Sequence, residues 1–167
     1  MEQHIIHRLP ISVQRFWKDL FFSPEYTKQV HLQGLGCSSF VVHKPCTGAP
    51  YYRRTFYNTP PLNIPSSLQK MVGDNIGYTE EGSFDPDTQR YNFRLMPSVL
   101  QKRLSIEGYY YIVEIDAHNL ERHCVLQTTA KIFGVGKKVE EVIAQSNIDI
   151  QAKTADFSRM WIEKYLS

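Results

Sequence analysis

The chain has 167 residues, enough to bury a real core as one domain, 1–167, with 19 Lys and Arg set against 17 Asp and Glu. A net charge of +2 gives no electrostatic reason to expect a nucleic-acid partner, and no apolar run approaches the ~20 residues of a membrane span. The opening MEQHIIHRLP has neither the apolar core nor the small-residue cleavage pattern of a signal peptide, so a cytoplasmic location is expected; a monomer is expected as well. Ten Tyr and nine Phe favour strands and suit the lining of a pocket.

Gln3–Leu9 reads as a first strand, ended by Pro10. Ser12 caps a helix with Val13, Phe16, Trp17, Leu20 and Phe21 on one face. Ser23-Pro24-Glu25 opens a second, with a capping residue, proline at the first helical position and an acid in the first turn. Tyr26 and Val30 face inward on it, and it ends near Gly34.

Strand signals follow. Ser38–Lys44 and Tyr51–Tyr57 pair across a turn rich in proline, and Asn58–Asp74 is a long loop with one short helix from Ser66. Ile76–Phe84 and Arg90–Met96 flank the Asp85-Pro86 turn. Arg103–Asp116 and His123–Phe133 flank a loop over Ala117–Arg122 and are the longest strands. Alternation puts Tyr91, Phe93 and Leu95 on one face, with Tyr110 and Ile112 on the next strand, and Leu126, Thr128 and Ala130 beyond.

Lys137–Leu166 then runs some thirty residues with neither proline nor glycine, roughly 45 Å as a helix. Its apolar positions Val139, Val142, Ile143, Ile150, Phe157, Met160, Trp161 and Tyr165 hold a 3.6-residue period, interrupted by Ser146 and Thr154. A helix too long for a small solid core, with polar breaks in its face, predicts a cavity between helix and sheet.

The order of strand, two short helices, about six antiparallel strands and one long helix resembles the α+β helix-grip fold. That is the fold of the StAR-related lipid-transfer (START), birch-pollen-allergen-like and polyketide-cyclase superfamily. Glu81–Pro86, Glu107–Tyr111 and Leu126–Ile132 look like the strand core of PRELI-type phospholipid carriers, and Ile132–Glu140 like the strand-to-helix junction of bacterial START-like domains.

The resemblance implies a curved sheet of about seven strands gripping a hydrophobic small molecule, a lipid or sterol, with transient membrane contact. The expected cavity is Tyr91, Phe93, Leu95, Tyr110, Ile112, Leu126, Thr128, Ala130, Ile143, Ser146, Ile150, Thr154, Phe157 and Trp161. Leu62, Ile64, Met71 and Val72 are expected as exposed lid residues able to dip into a bilayer, with Lys70 at the headgroups. Arg53, Arg54, Lys137 and Lys138 are expected to meet anionic headgroups. An enzyme of the cyclase and aromatase type, using Tyr91, Tyr110 or Arg94 for proton transfer, is the alternative; an interaction module with a filled cavity is a third.

No metal, cofactor or catalytic frame is expected. The six histidines lack ligand spacing and read as solvated or incidental, with His4 and His7 on opposite faces of their strand. Cys37, Cys46 and Cys124 read as reduced thiols, with a Cys37–Cys46 bridge the remaining option. Gly134–Lys138 lacks the spacing of a phosphate loop.

Overall fold

The computed structural model describes all 167 residues. The strands are β1 (Glu2–Leu9), β2 (Phe40–Lys44), β3 (Arg53–Asn58), β4 (Tyr78–Asp85), β5 (Arg90–Pro97), β6 (Leu104–Asp116) and β7 (Asn119–Ala130). They form one antiparallel sheet in the order β1-β7-β6-β5-β4-β3-β2. Two short helices follow β1: α1 (Val13–Arg15), widening into Phe16–Phe21, and α2 (Pro24–Gln29), widening into Val30–Gly34. Short helix α3 (Ser66–Val72) precedes β4, and α4 (Gly136–Trp161), continued by Ile162–Leu166, crosses the concave face.

Local chemistry accounts for the starts. The Ser12 hydroxyl accepts from the Arg15 amide and the Ser23 hydroxyl from that of Tyr26, each filling one of the donors a helix start leaves open. Phe16, Trp17, Leu20, Tyr26 and Val30 are buried as their spacing predicts, and they close one mouth of the curved sheet.

One hairpin differs from expectation. The loop predicted over Ala117–Arg122 is only Ala117 and His118, and β7 starts four residues early and leaves the sheet at Ala130. Asp116 causes this: its carboxylate accepts from the His118 amide at 2.8 Å and from Asn119 Nδ2 at 3.0 Å, so pairing resumes at once. Arg122 therefore stands in mid-strand, in the same inward register as Leu120, Cys124 and Leu126. Beyond Ala130 the chain turns at Gly134, φ +79°, leaving Phe133 fully exposed.

The helix face is also narrower than predicted at its end. Val139, Ile143, Phe157 and Ile162 are buried, but Met160 and Tyr165 lie open while Ile162 and Leu166 are the residues of that last stretch that pack on the core. No helix is long and apolar enough to cross a membrane.

Candidate ligand cavity

Helix α4 is fastened at both ends and spans a space in between. At its start the Glu140 carboxylate accepts from the Ala130 amide at 2.8 Å; further along, Gln3 Nε2 of β1 donates to the Ala144 carbonyl at 2.8 Å, and Asn147 Nδ2 donates to Gln3 Oε1 at 3.0 Å. At its far end the Tyr26 hydroxyl of α2 meets that of Ser158 at 2.6 Å, wholly buried. Phe157 packs so closely on Gly34 that a β-carbon there would stand 2.8 Å from the ring. Between these fastenings Val142, Ser146, Ile150 and Thr154 look onto a cavity of about 150 Å³, roughly ten times what one water needs. Of the 35 residues around it 24 are hydrophobic, drawn from every layer of the fold.

The cavity wall includes Phe93, Leu95, Tyr110, Leu126, Ile143, Ser146, Ile150 and Thr154 of the expected residues. Six others lie outside it. Tyr91 is fully buried behind the wall, and Thr128 is sealed between β1 and β6 with no partner for its hydroxyl. Ala130 is taken up by the start of α4, donating its amide to Glu140. Ile112 packs toward the β6–β7 hairpin, outside the wall. Phe157 and Trp161 pack on Tyr26 beyond the α2–α4 fastening.

The segment Asn58–Asp74 covers one side, but not as an exposed apolar lid. Leu62, Ile64, Leu68 and Val72 turn inward and line the cavity, because apolar groups beside an unfilled hollow lose more surface to the interior than to water. Met71 packs against the core, and of the residues expected in the lid only Lys70 is exposed. Lys138 latches this segment to α4 by donating to the Ser67 hydroxyl at 3.0 Å, while Lys137 and Arg53 are exposed.

The polar lining comes from residues the sequence did not single out. Arg54, expected at a surface, is inside, since β3 points Arg53 and Arg54 to opposite faces. Its Nε donates to the Tyr91 hydroxyl at 3.1 Å, and one Nη donates to the Phe21 carbonyl at 2.8 Å and the Thr27 hydroxyl at 3.0 Å. Tyr91 in turn donates to Glu80 at 2.8 Å, and the Arg54–Glu80 ion pair itself is 3.8 Å. The guanidinium also lies 4.7 Å over the Phe21 ring. Gly82 makes this possible: any side chain there would collide with the Tyr91 ring and hydroxyl where they cross β4.

Burial raises the Glu80 carboxyl above its ordinary range, with Arg54 and Tyr91 opposing, and raises the Tyr91 and Tyr110 hydroxyls strongly. His31, another wall residue, is held down at about 4 by burial against the hydrogen bond its ring makes to the Thr27 carbonyl, so it is neutral at pH 7.

A second polar group sits across the cavity on β7 and α4. Arg122, 3% exposed, donates from Nη2 to the backbone and side-chain oxygens of Gln151, both at 3.1 Å. Gln151 Nε2 donates to the Tyr110 hydroxyl at 2.7 Å. By contrast Ser146 and Thr154, expected to offer polar contacts, spend their hydroxyl protons on the carbonyls of Val142 and Ile150 one turn back. Arg94 is on the convex face, exposed, and takes no part.

Parity along β3 and β4 was a usable signal: Arg54, Phe56 and Asn58 share one register, as do Tyr78, Glu80 and Phe84. Arg122 was hidden by the misplaced turn.

Two histidines are drawn into the structure, His123 buried and His31 half-buried. His31 is in the wall, and His123 is on the convex face, 2.8 Å from His4 and 3.3 Å from Glu121. No group of three His, Cys, Asp or Glu gathers in a way that could hold a metal. The three cysteines are free, and burial pushes the Cys124 thiol up to about 12 and Cys37 to about 11.

A sequence profile matches residues 5–162. The chain belongs to the DUF2505 family. That family is described as proteins of unknown function. Comparison with curated proteins returned no match. Among solved structures the chain is similar to norcoclaurine synthase from Thalictrum flavum in complex with dopamine and hydroxybenzaldehyde, at TM-score 0.64 and 13% identity over 100% of this chain and 89% of that one. It is similar to a START superfamily protein from Mycobacterium smegmatis, at 0.62 and 11% over 96% and 98%. The Zhui aromatase/cyclase from Streptomyces sp. R1128 gives 0.62 and 10% over 99% and 98%. At such identities the likeness is one of fold, and the fold is the START-like helix-grip architecture.

Proposed function

We propose that this DUF2505 chain binds a hydrophobic small molecule, a lipid- or sterol-like compound, between its sheet and α4, and carries or senses it rather than converting it. The observation that supports this most is the largely apolar cavity under a helix pinned at both ends. A chain under pressure only for stability would fill such a space, since voids cost contacts on every side. Burial of the ligand's apolar surface at roughly 25 cal/mol per Å² would drive binding. The segment Asn58–Asp74, held to α4 by the exposed Lys138–Ser67 hydrogen bond, is the route for exchange, during transient contact with a membrane.

Native mass spectrometry of the purified protein, with organic extraction of whatever accompanies it, tests this. A stoichiometric apolar ligand is expected. A ligand-free mass, unchanged after incubation with liposomes, would overturn it and favour an interaction module.

One observation favours a second reading, an enzyme of the cyclase type. Glu80 is a buried carboxyl in the cavity wall, raised by burial and bonded to Tyr91, which is the setting of a general acid or base. Conversion of an extracted ligand by the wild type but not by Glu80→Gln would establish it.

A further inference from the structure

Two arginines line the cavity, and one carboxylate lines it with them. Arg54 and Glu80 answer each other through Tyr91. Arg122 has no such answer. No carboxylate lies within 4 Å of it: the chain's six ion pairs all involve other cations. Only its Nη2 is engaged, by the neutral oxygens of Gln151, and its Nε, buried, has no partner in the protein.

The neighbours supply no negative charge. His7, opposite Arg122 in the β1–β7 register, is held toward its neutral form by burial and by Arg122 itself. Asp156 pairs with Arg159 at the surface of α4. The Tyr110 ring lies 5.8 Å from the guanidinium, and burial holds its hydroxyl protonated. Dipoles of this kind orient a guanidinium without cancelling its charge, and a buried charge left uncancelled is costly. The arrangement is that of a positioned cation awaiting its counter-ion.

We infer that Arg122 is the anchoring point for an acidic group on the ligand, so the cavity takes an amphipathic monoanion: an apolar body ending in a carboxylate. Nη1 has no partner in the protein and, unlike Nε, is not closed off, so it is the end of the guanidinium that can donate to a carboxylate oxygen. A doubly charged phosphate monoester fits less well, because one arginine offers a single surplus charge and Glu80 lines the same cavity. The inference rests on the cavity being a ligand site, and names the chemistry of its occupant.

Decanoate and decanol, alike but for the acidic group, separate the two claims by isothermal titration calorimetry. The wild type is expected to bind decanoate at least ~10-fold more tightly than decanol, a difference of about 1.4 kcal/mol. Arg122→Gln should bring the two within about threefold by weakening decanoate alone. Gln151→Glu, which places a carboxylate within the chain about 3 Å from Arg122 Nη2, should abolish the preference as well, and it keeps the test open if Arg122→Gln does not fold. Equal affinity in the wild type, or a preference that survives in a folded variant, overturns the anion site while leaving the cavity reading in place. If neither compound binds, both fall.

Discussion

The two buried arginines face one cavity from opposite walls, and they differ in how completely the chain satisfies them. Arg54 has a hydroxyl, a carbonyl, a second hydroxyl, a carboxylate and an aromatic face. Arg122 has one hydrogen-bonding side chain, Gln151, a more distant aromatic face, Tyr110, and a free Nε, with no carboxylate. The first is the pattern of a group that holds the structure together, joining α1, α2, β3, β4 and β5. The second is the pattern of a group left for something else. Burial alone would not separate them; the inventory of partners does.

The largest expected effect breaks the complete cluster. Glu80→Leu leaves Arg54 buried without its counter-ion and should lower stability in guanidinium unfolding by about 3–5 kcal/mol. Arg54→Met combined with Glu80→Leu should recover most of that, because both charges are then gone. A double variant as unstable as the single would mean the cluster acts by shape rather than charge.

Acid tests the same wall. His31 has a folded pKa of about 4 against 6.5 unfolded, so the unfolded chain takes up the proton first. Its contribution is whole above pH 6.5 and is lost as pH falls toward 4, up to about 3 kcal/mol. Glu80, raised by burial, acts with the opposite sign, losing its contribution as pH rises above the ordinary carboxylate range. The difference between wild type and His31→Phe across that window isolates the histidine; parallel curves would show that it is not buried in solution.

Tyr91→Phe removes the hydroxyl that links Arg54 to Glu80 and should cost about 1.5–3 kcal/mol by chemical denaturation, hydrogen bonds to charged groups being the stronger kind. A loss well under 1 kcal/mol would mean the 3.8 Å ion pair closes up to replace it.

The smallest effect sharpens the contrast. Arg122→Met, in protein stripped of ligand, should leave stability within about 1 kcal/mol or raise it, because an unanswered buried charge is removed. A loss as large as that from Glu80→Leu would place Arg122 with Arg54 among the structural groups.

Much of the fold was legible because its signals are local. Ser12 and Ser23 before apolar stripes give helices, alternation through Tyr91, Phe93 and Leu95 gives an inner face, and thirty residues without a breaker give α4. The site was legible in its apolar part only. Phe93, Leu126 and Ile150 could be placed by periodicity, which reports direction. Trp161 and Phe157 shared that direction and still fell outside the cavity, because where α4 is fastened to α2 is a matter of packing between distant segments.

The polar part shows the division most sharply. Arg54, Glu80 and Arg122 each sit at an inward position of a strand, and the sequence by itself determined that once the strands were correctly bounded. Whether an inward charge is neutralised depends on what stands across from it, and the partners of Arg54 come from 26 to 37 residues away. For Arg122 the nearest oxygens belong to Gln151, 29 residues on, where a carboxylate would have closed the account. The sequence determined the order of strands and helices, since propensity, capping and periodicity act over a few residues. Only the tertiary structure decided which charges meet, since electrostatic partnership is set by distance in space.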